Sequence, residues 1–192
     1  MKFGPPDFTF SSGRVLKEAG MRLVPVSLAE LTARHRDDIV GYLVRLLGDR
    51  QEAEDACQDA FLRAHRAFAR LGPEANSRAW LYRIATRSGL NAARRRARRT
   101  ARAADVDLDS LPAAAGLSPE RREELLAIRR AVDRLPPRQR AALMLRQFEG
   151  FGYAEIAVAL GGSEQGARAN VYQAIKKLRA TLGGARRRDA KR

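Results

Sequence analysis

The sequence predicts an all-α protein: two small helical domains joined by a flexible linker, the C-terminal one a helix-turn-helix. Three observations lead there. Apolar residues recur at steps of three and four through residues 27–99 and again through 120–183, the spacing of one face of an α-helix. Between them, residues 100–119 turn rich in Ala and Asp, and Leu111-Pro112 and Ser118-Pro119 break any helix, which marks an interdomain linker. Near the C-terminal end a short helical pattern, the turn Gly161-Gly162-Ser163 and a longer capped helix follow one another, the signature of a helix-turn-helix.

Composition narrows the function. A chain of 192 residues has room for one medium domain or two small ones. Its 37 Lys and Arg against 22 Asp and Glu give a net charge of +15. Such self-repulsion points to a polyanionic partner, nucleic acid or an acidic membrane. The single cysteine, Cys57, excludes an intrachain disulfide, and no Cys/His cluster has metal-ligand spacing, so neither a metal nor a cofactor is expected. No apolar run approaches the roughly 20 residues that span a bilayer. The N-terminus lacks the apolar core of a signal peptide. The expectation is a cytoplasmic protein without membrane insertion.

Residues 1–26 contain Pro5, Pro6 and Pro25 and no sustained period, and read as a loose extension. The periodic sequence starts just after Met21, which makes Met21 an alternative first residue. From Ser27, a capping box with Glu30 opens a helix whose Leu28, Leu31, His35, Ile39, Leu43 and Leu46 fall in line; Gly48 supplies a left-handed stop. His35 reads as a partly buried packing residue rather than a ligand. Asp49 with Glu52 makes a second box. The helix it opens has an apolar stripe of Ala53, Cys57, Ala60, Phe61, Ala64, Phe68 and Leu71, and an opposite side of Glu52, Asp55, Gln58, Asp59, Leu62 and Arg66. Cys57 on the stripe is expected to pack. Gly72–Ser77 is a turn by composition.

The next helix opens near Ser77, buries Leu81, Ile84, Ala85, Ser88 and Ala92, and turns Arg83, Arg87, Asn91 and Arg94 to another side before ending in an arginine run through Arg102. Trp80 at its start is either a core anchor or an aromatic near unstacked bases. In the linker, Asp105, Asp107 and Asp109 alternate. A helix over about Pro119–Leu135 aligns Leu125, Ile128, Val132 and Leu135. After Pro136-Pro137, with Pro137 in a first turn, another carries Ala141, Met144, Leu145 and Phe148 and stops at Gly150. A short one carries Ile156, Ala157 and Leu160. Ser163 caps the last, from Glu164 to about Leu182, ahead of a basic tail over 184–192. Ala167, Val171, Ala174, Ile175, Leu178 and Leu182 form its inner stripe; Gln165, Arg168, Ala169, Tyr172, Gln173 and Lys176 point away. Gln165 and Arg168 suit adenine and guanine edges, Ala169 permits close approach, and Lys176, Lys177 and Arg179 suit phosphates.

Two stretches carry a resemblance: AEDACQDAFLRAHRAF with SRAWLYRIATRSGLNAARRRAR, and LPPRQRAALMLRQFEGFGYAEIAVALGGSEQGARANVYQAIKKLR. In this order and at this separation they resemble the extracytoplasmic-function sigma factors of bacterial RNA polymerase, over most of residues 28–182. The resemblance implies a region-2 domain over 27–99 and a region-4 domain over 120–183. It implies that Asp55, Gln58, Asp59 and Leu62 grip the clamp coiled coil of the β′ subunit, with the β flap as a second polymerase contact. It implies that Asn76, Trp80, Arg83, Arg87, Asn91, Arg94 and Arg95 serve the −10 element, Asn76 within the segment that captures a flipped base. The arginines from Arg94 onward would track the adjoining phosphates. Ser163, Gln165, Arg168, Ala169, Tyr172 and Lys176 would serve the −35 element. The acidic linker would thread polymerase channels, an anti-sigma factor would hold the protein inactive, and no residue would be catalytic. The last helix departs from the pattern, with GARANVYQA where many relatives carry a more polar stretch, and this leaves the base assignments around Ala169 and Asn170 open.

Two other classes fit part of the chain. A helix-turn-helix regulator accounts for the C-terminal half and leaves the Asp55, Gln58, Asp59 face unexplained. A recombinase or nuclease would use Asp105, Asp107 and Asp109 as metal ligands, but they sit in a linker without a supporting scaffold.

Overall fold

A computed structural model describes residues 27–72, 75–100 and 118–189, in which every regular element is a helix. Three helices form the N-terminal half: α1 (Leu28–Leu47), α2 (Arg50–Ala67, followed by a single 3-10 turn, Phe68–Arg70) and α3 (Ser77–Thr100). Four form the C-terminal half: α4 (Pro119–Asp133), α5 (Pro137–Gln147), α6 (Tyr153–Leu160) and α7 (Glu164–Asp189). No helix among the described residues is long and apolar enough to cross a membrane.

The helix ends follow local chemistry. Ser27 and Glu30 form the reciprocal capping box, and Gly48 ends α1 at φ 75°, where a side chain would be strained. Asp49 caps α2 by accepting from the Glu52 N–H at 2.8 Å. The second half of that box is missing, because the Glu52 carboxylate is drawn across to Arg99 on α3, 2.5 Å away. Ser118 caps α4 with Pro119 in the first turn, so the Ser-Pro step that breaks the preceding chain also starts this helix. Thr100 and Pro119 are thus helical, while Arg102, Asp105, Asp107 and Asp109 lie outside the described residues. Helix α7 runs past Leu182 to Asp189 despite two consecutive glycines. Each glycine costs a helix interior only about 1 kcal/mol, and no proline follows.

α1, α2 and α3 pack on one another through Ile39, Tyr42, Leu43, Leu46, Ala53, Ala60, Leu81 and Ala85. Cys57 is buried among them, and burial pushes its thiol up to about 11, which makes it a packing residue and a poor nucleophile. His35 is largely buried too; burial, then the nearby Arg78, holds its pKa below 6.5. α3 packs tightly on α1 at Gly89, where a Cβ would lie 2.8 Å from Leu43 Cδ2 and 2.9 Å from Leu46 Cδ2. Both leucines are buried and cannot swing aside. Gly89→Val should therefore destabilise the protein by about 2 kcal/mol through overpacking. Urea unfolding should show a lower midpoint with an unchanged slope; an unmoved midpoint would show that the helices separate freely.

The two halves also pack against each other, α1 on α5 and α3 on α6, and their buried side chains form one contiguous core. The C-terminal carbonyls of α1 are satisfied across this junction: Arg140 donates to Leu46 O at 3.1 Å and Arg129 to Gly48 O at 3.0 Å, while Arg96 of α3 reaches Leu47 O at 2.9 Å. Three guanidiniums at one helix C-terminus also complement its dipole. Of the α4 line, Leu135 is buried, but Leu125 and Ile128 stay exposed. Phe148, expected within the α5 stripe, is exposed, with Arg45 lying 4.8 Å over its ring. Gly150 turns the chain at φ 69°, Phe151 N–H bonds Leu145 O, and Phe151 becomes the buried aromatic.

Candidate nucleic-acid interface

The outer surface of α2 presents Asp55, Gln58 and Leu62, three and four residues apart and all exposed. Leu62 is 55% exposed, unusual for a large aliphatic side chain on a well-packed helix. Neither Asp55 nor Gln58 has a hydrogen-bond partner among the described residues. The three line a groove of ≈ 800 Å³ between α1 and α2, floored by Leu28, Val40 and Phe61. Asp59 does not belong to this free row. Its carboxylate accepts from Ser88 Oγ on α3 and from Arg63 Nε, both at 2.8 Å. These contacts, Arg63 foremost, hold its carboxyl below the usual aspartate range. It sits at the seam between α2 and α3, where period alone put it on the outer face.

On α3, Arg83, Arg87 and Arg94 are exposed and Asn91 is half-exposed, so one helix face carries a row of cations and an amide. Arg94 Nη1 lies 3.4 Å from Asn91 Oδ1, and Arg95, also exposed, is one step round the helix. The rest of the arginine run divides. Arg99 is paired with Glu52 while staying 69% exposed, and Arg96 is bound to the end of α1, so of these two it is Arg96 that also closes a helix end. Trp80 is half-buried, its ring centroid 6.1 Å from that of Phe68, which fits the anchor role while leaving an edge open. Asn76 caps α3, accepting from Ala79 N–H at 2.9 Å, and its amide nitrogen donates to Glu155 of α6 at 3.0 Å. An asparagine one place before a helical run is a recognisable cap, a signal the sequence reading passed over in favour of a base contact. It also passed over Tyr82, fully buried, whose hydroxyl crosses to Glu149.

In the C-terminal half, α6, the turn at Gly161 (φ 62°) and α7 form the helix-turn-helix. Ser163 Oγ accepts from Gly166 N–H at 3.1 Å. Gln165, Arg168, Ala169, Tyr172, Gln173 and Lys176 are all exposed, as are Lys177 and Arg179. Arg168 is held in place by Glu164 at 2.6 Å and by the Tyr153 ring, 4.4 Å below its guanidinium. Asn170 donates back to Gly166 O at 2.8 Å and is spent on its own helix.

The described surface thus offers two exposed cationic faces on separate helices and an acidic and apolar row on a third. Residues 31–99 match the Sigma-70 region 2 model and residues 125–178 the Sigma-70, region 4 model. The chain is 33% identical over 172 residues to the ECF RNA polymerase sigma factor SigE of Mycolicibacterium smegmatis, a match covering 88% of this chain and 66% of that one. It is 33% identical over 163 residues to the RNA polymerase sigma-H factor of Pseudomonas aeruginosa, covering 79% and 84%. The chain belongs to the ECF sigma factors. Solved structures agree on the fold of this sigma factor. The sigma factor RpoE in complex with the anti-sigma factor NepR from Bartonella quintana superposes with a TM-score of 0.63 at 23% identity, covering 81% of this chain and 96% of that one. CnrH in complex with the cytosolic domain of CnrY gives 0.60 at 22%, covering 82% and 88%. As a family member the protein acts in transcription initiation, and sigma factors are transcription regulators rather than enzymes.

Proposed function

We propose that this sigma factor binds core RNA polymerase through the α1–α2 groove, reads a −10 element with α3 and a −35 element with α7, and helps open the −10 region for a dedicated, stress-related set of promoters. One observation carries the reading: Asp55, Gln58 and Leu62 are exposed and uncommitted on one side of the N-terminal body, while Arg83, Arg87, Asn91 and Arg94 are offered on another. A single body can then hold the clamp coiled coil of β′ and DNA at once. We assign the region-2 body to residues 27–99, the linker to 100–119 and the region-4 body to 120–183. The exposed Leu125 and Ile128 of α4 give the latter an apolar contact for the β flap.

Opening needs no nucleotide. A protein that binds unpaired, flipped-out bases better than duplex shifts the melting equilibrium by that difference in affinity. Breaking a few base steps costs several kcal/mol, which stacking and phosphate contacts on a preformed surface offset. The regulator in this reading is an anti-sigma factor, supported by RpoE and CnrH of the same fold, solved with NepR and with the cytosolic domain of CnrY.

The test is reconstituted run-off transcription with core enzyme and templates taken from start sites mapped after overexpression. Those start sites should share a spaced pair of upstream motifs, and the purified protein should direct core enzyme to them. If core enzyme that responds to another sigma factor makes no transcript with this one on any template, the reading fails. A helix-turn-helix regulator, the rival, would also not co-purify with core polymerase.

A further inference from the structure

The junction between the two halves contains a charged site that the promoter and polymerase surfaces do not use. Glu149, in the loop between α5 and α6, has only 5% of its side chain exposed. Arg45 of α1 donates to it at 2.6 Å, the Tyr82 hydroxyl of α3 donates to it at 2.6 Å, and Arg78 Nη2 stands 4.0 Å away while donating to the Glu149 carbonyl at 2.9 Å. The next aromatic, Phe151, completes the plug. Its ring lies 4.9 Å from Tyr82 and 4.3 Å from the Arg78 guanidinium. Every group that receives Glu149 comes from the N-terminal body.

Two guanidiniums and a phenol converging on one point form an oxyanion pocket. It lies at the start of α3, where Arg78 falls between Asn76 and Trp80, and the Asn76 amide is itself tied to Glu155. We infer that the 148–152 loop is an intramolecular latch: Glu149 fills an anion pocket of Arg45, Arg78 and Tyr82 that a nucleic-acid phosphate occupies once the C-terminal body swings away, so that closure and DNA binding exclude one another. Tethering and burial explain why a single carboxylate can compete. Tethering gives it an effective concentration in the millimolar range, and a pair this buried is screened by salt far less than an exposed phosphate contact. Residues 101–117 join the two bodies and can reach about 60 Å if extended, enough for separation. The inference rests on the sigma-factor reading only in naming nucleic acid as the competitor.

The experiment uses the full chain with dyes on Gln51→Cys and Gln173→Cys, both exposed positions, and a fluorescein-labelled single-stranded oligonucleotide as the DNA probe. Energy transfer should be high in the otherwise unaltered chain and should drop in Glu149→Ala, with helicity by circular dichroism retained. Oligonucleotide affinity should rise about tenfold in Glu149→Ala, as the competent fraction goes from about a tenth to nearly all. Arg45→Ala should open the molecule equally but gain less affinity, having lost a pocket cation. The inference is overturned if transfer is already low before the latch is altered, if Glu149→Ala stays closed, if it opens without gaining affinity, or if Arg45→Ala gains as much. A failed run-off assay would leave the transfer change intact, so the two readings fail separately.

Discussion

Affinity for core polymerase should fall by about 100-fold when Asp55→Lys and Leu62→Arg are combined, with the fold unchanged. Interface energy concentrates in a few well-desolvated side chains, and truncating one commonly costs about 2 kcal/mol or more, some 30-fold. Leu62 is an exposed apolar residue lining the α1–α2 groove, and arginine there places a hydrated charge where the proposed interface has its apolar contact. Asp55 contributes the charge complementarity, and reversing it converts attraction into repulsion. Both side chains point to solvent, and Asp55 has no partner among the described residues. Lysine and arginine are good helix formers. Stability should therefore hold within about 0.5 kcal/mol, as is usual for surface changes. Asp59 is a poorer probe of the same surface. Reversing its charge also removes the Ser88 and Arg63 contacts, so lost binding would be mixed with lost packing. Anisotropy titration of labelled protein against core enzyme reads the effect. An affinity within threefold of the unaltered protein would remove the docking assignment.

The parts of this molecule that were legible from sequence are those set by neighbours a few residues away. The box at Ser27 and Glu30, the left-handed Gly48 and the two-sided α7 are all local, and period and capping chemistry suffice to find them. Asp59 and Phe148 show where period stops deciding. Both lie near the boundary between a helix's faces, and what places them is the neighbouring element: Ser88 ties the half-exposed Asp59 to α3, while the turn at Gly150 buries Phe151 and leaves Phe148 outside under Arg45. The junction between the halves had no sequence signature at all. Its groups are backbone carbonyls at the end of α1, met by arginines about 80 to 95 residues away, and one glutamate in a loop. A run of arginines reads as a DNA-binding surface whether its members face solvent or close a helix end. Only tertiary structure separates Arg83 and Arg87 from Arg96 and Arg140.

Under the proposed reading of α7, the same distinction divides base readers from phosphate contacts. Arg168→Ala should lower affinity for the preferred −35 sequence by about 5- to 150-fold, the 1–3 kcal/mol of a bidentate base contact, and relax preference at one base position. Lys176→Ala should weaken binding evenly across sequences and reduce the salt dependence by about one counterion. The geometry favours this split. Arg168 lies in the first turns of the helix, where base edges are reached. Its guanidinium is already ordered over Tyr153, so less freedom is lost on binding. Its pairing with Glu164 is no serious competitor, because an exposed i,i+4 ion pair stabilises by only about 0.3–0.5 kcal/mol, well below a guanine contact. Arg168→Lys should recover little of the loss, since an ammonium keeps the charge but not the planar fork. Binding measured on a panel of single-base variants at two salt concentrations separates the terms. If Arg168→Ala and Lys176→Ala shift all sequences alike, with equal changes in salt slope, then α7 holds the DNA backbone and the sequence preference resides elsewhere.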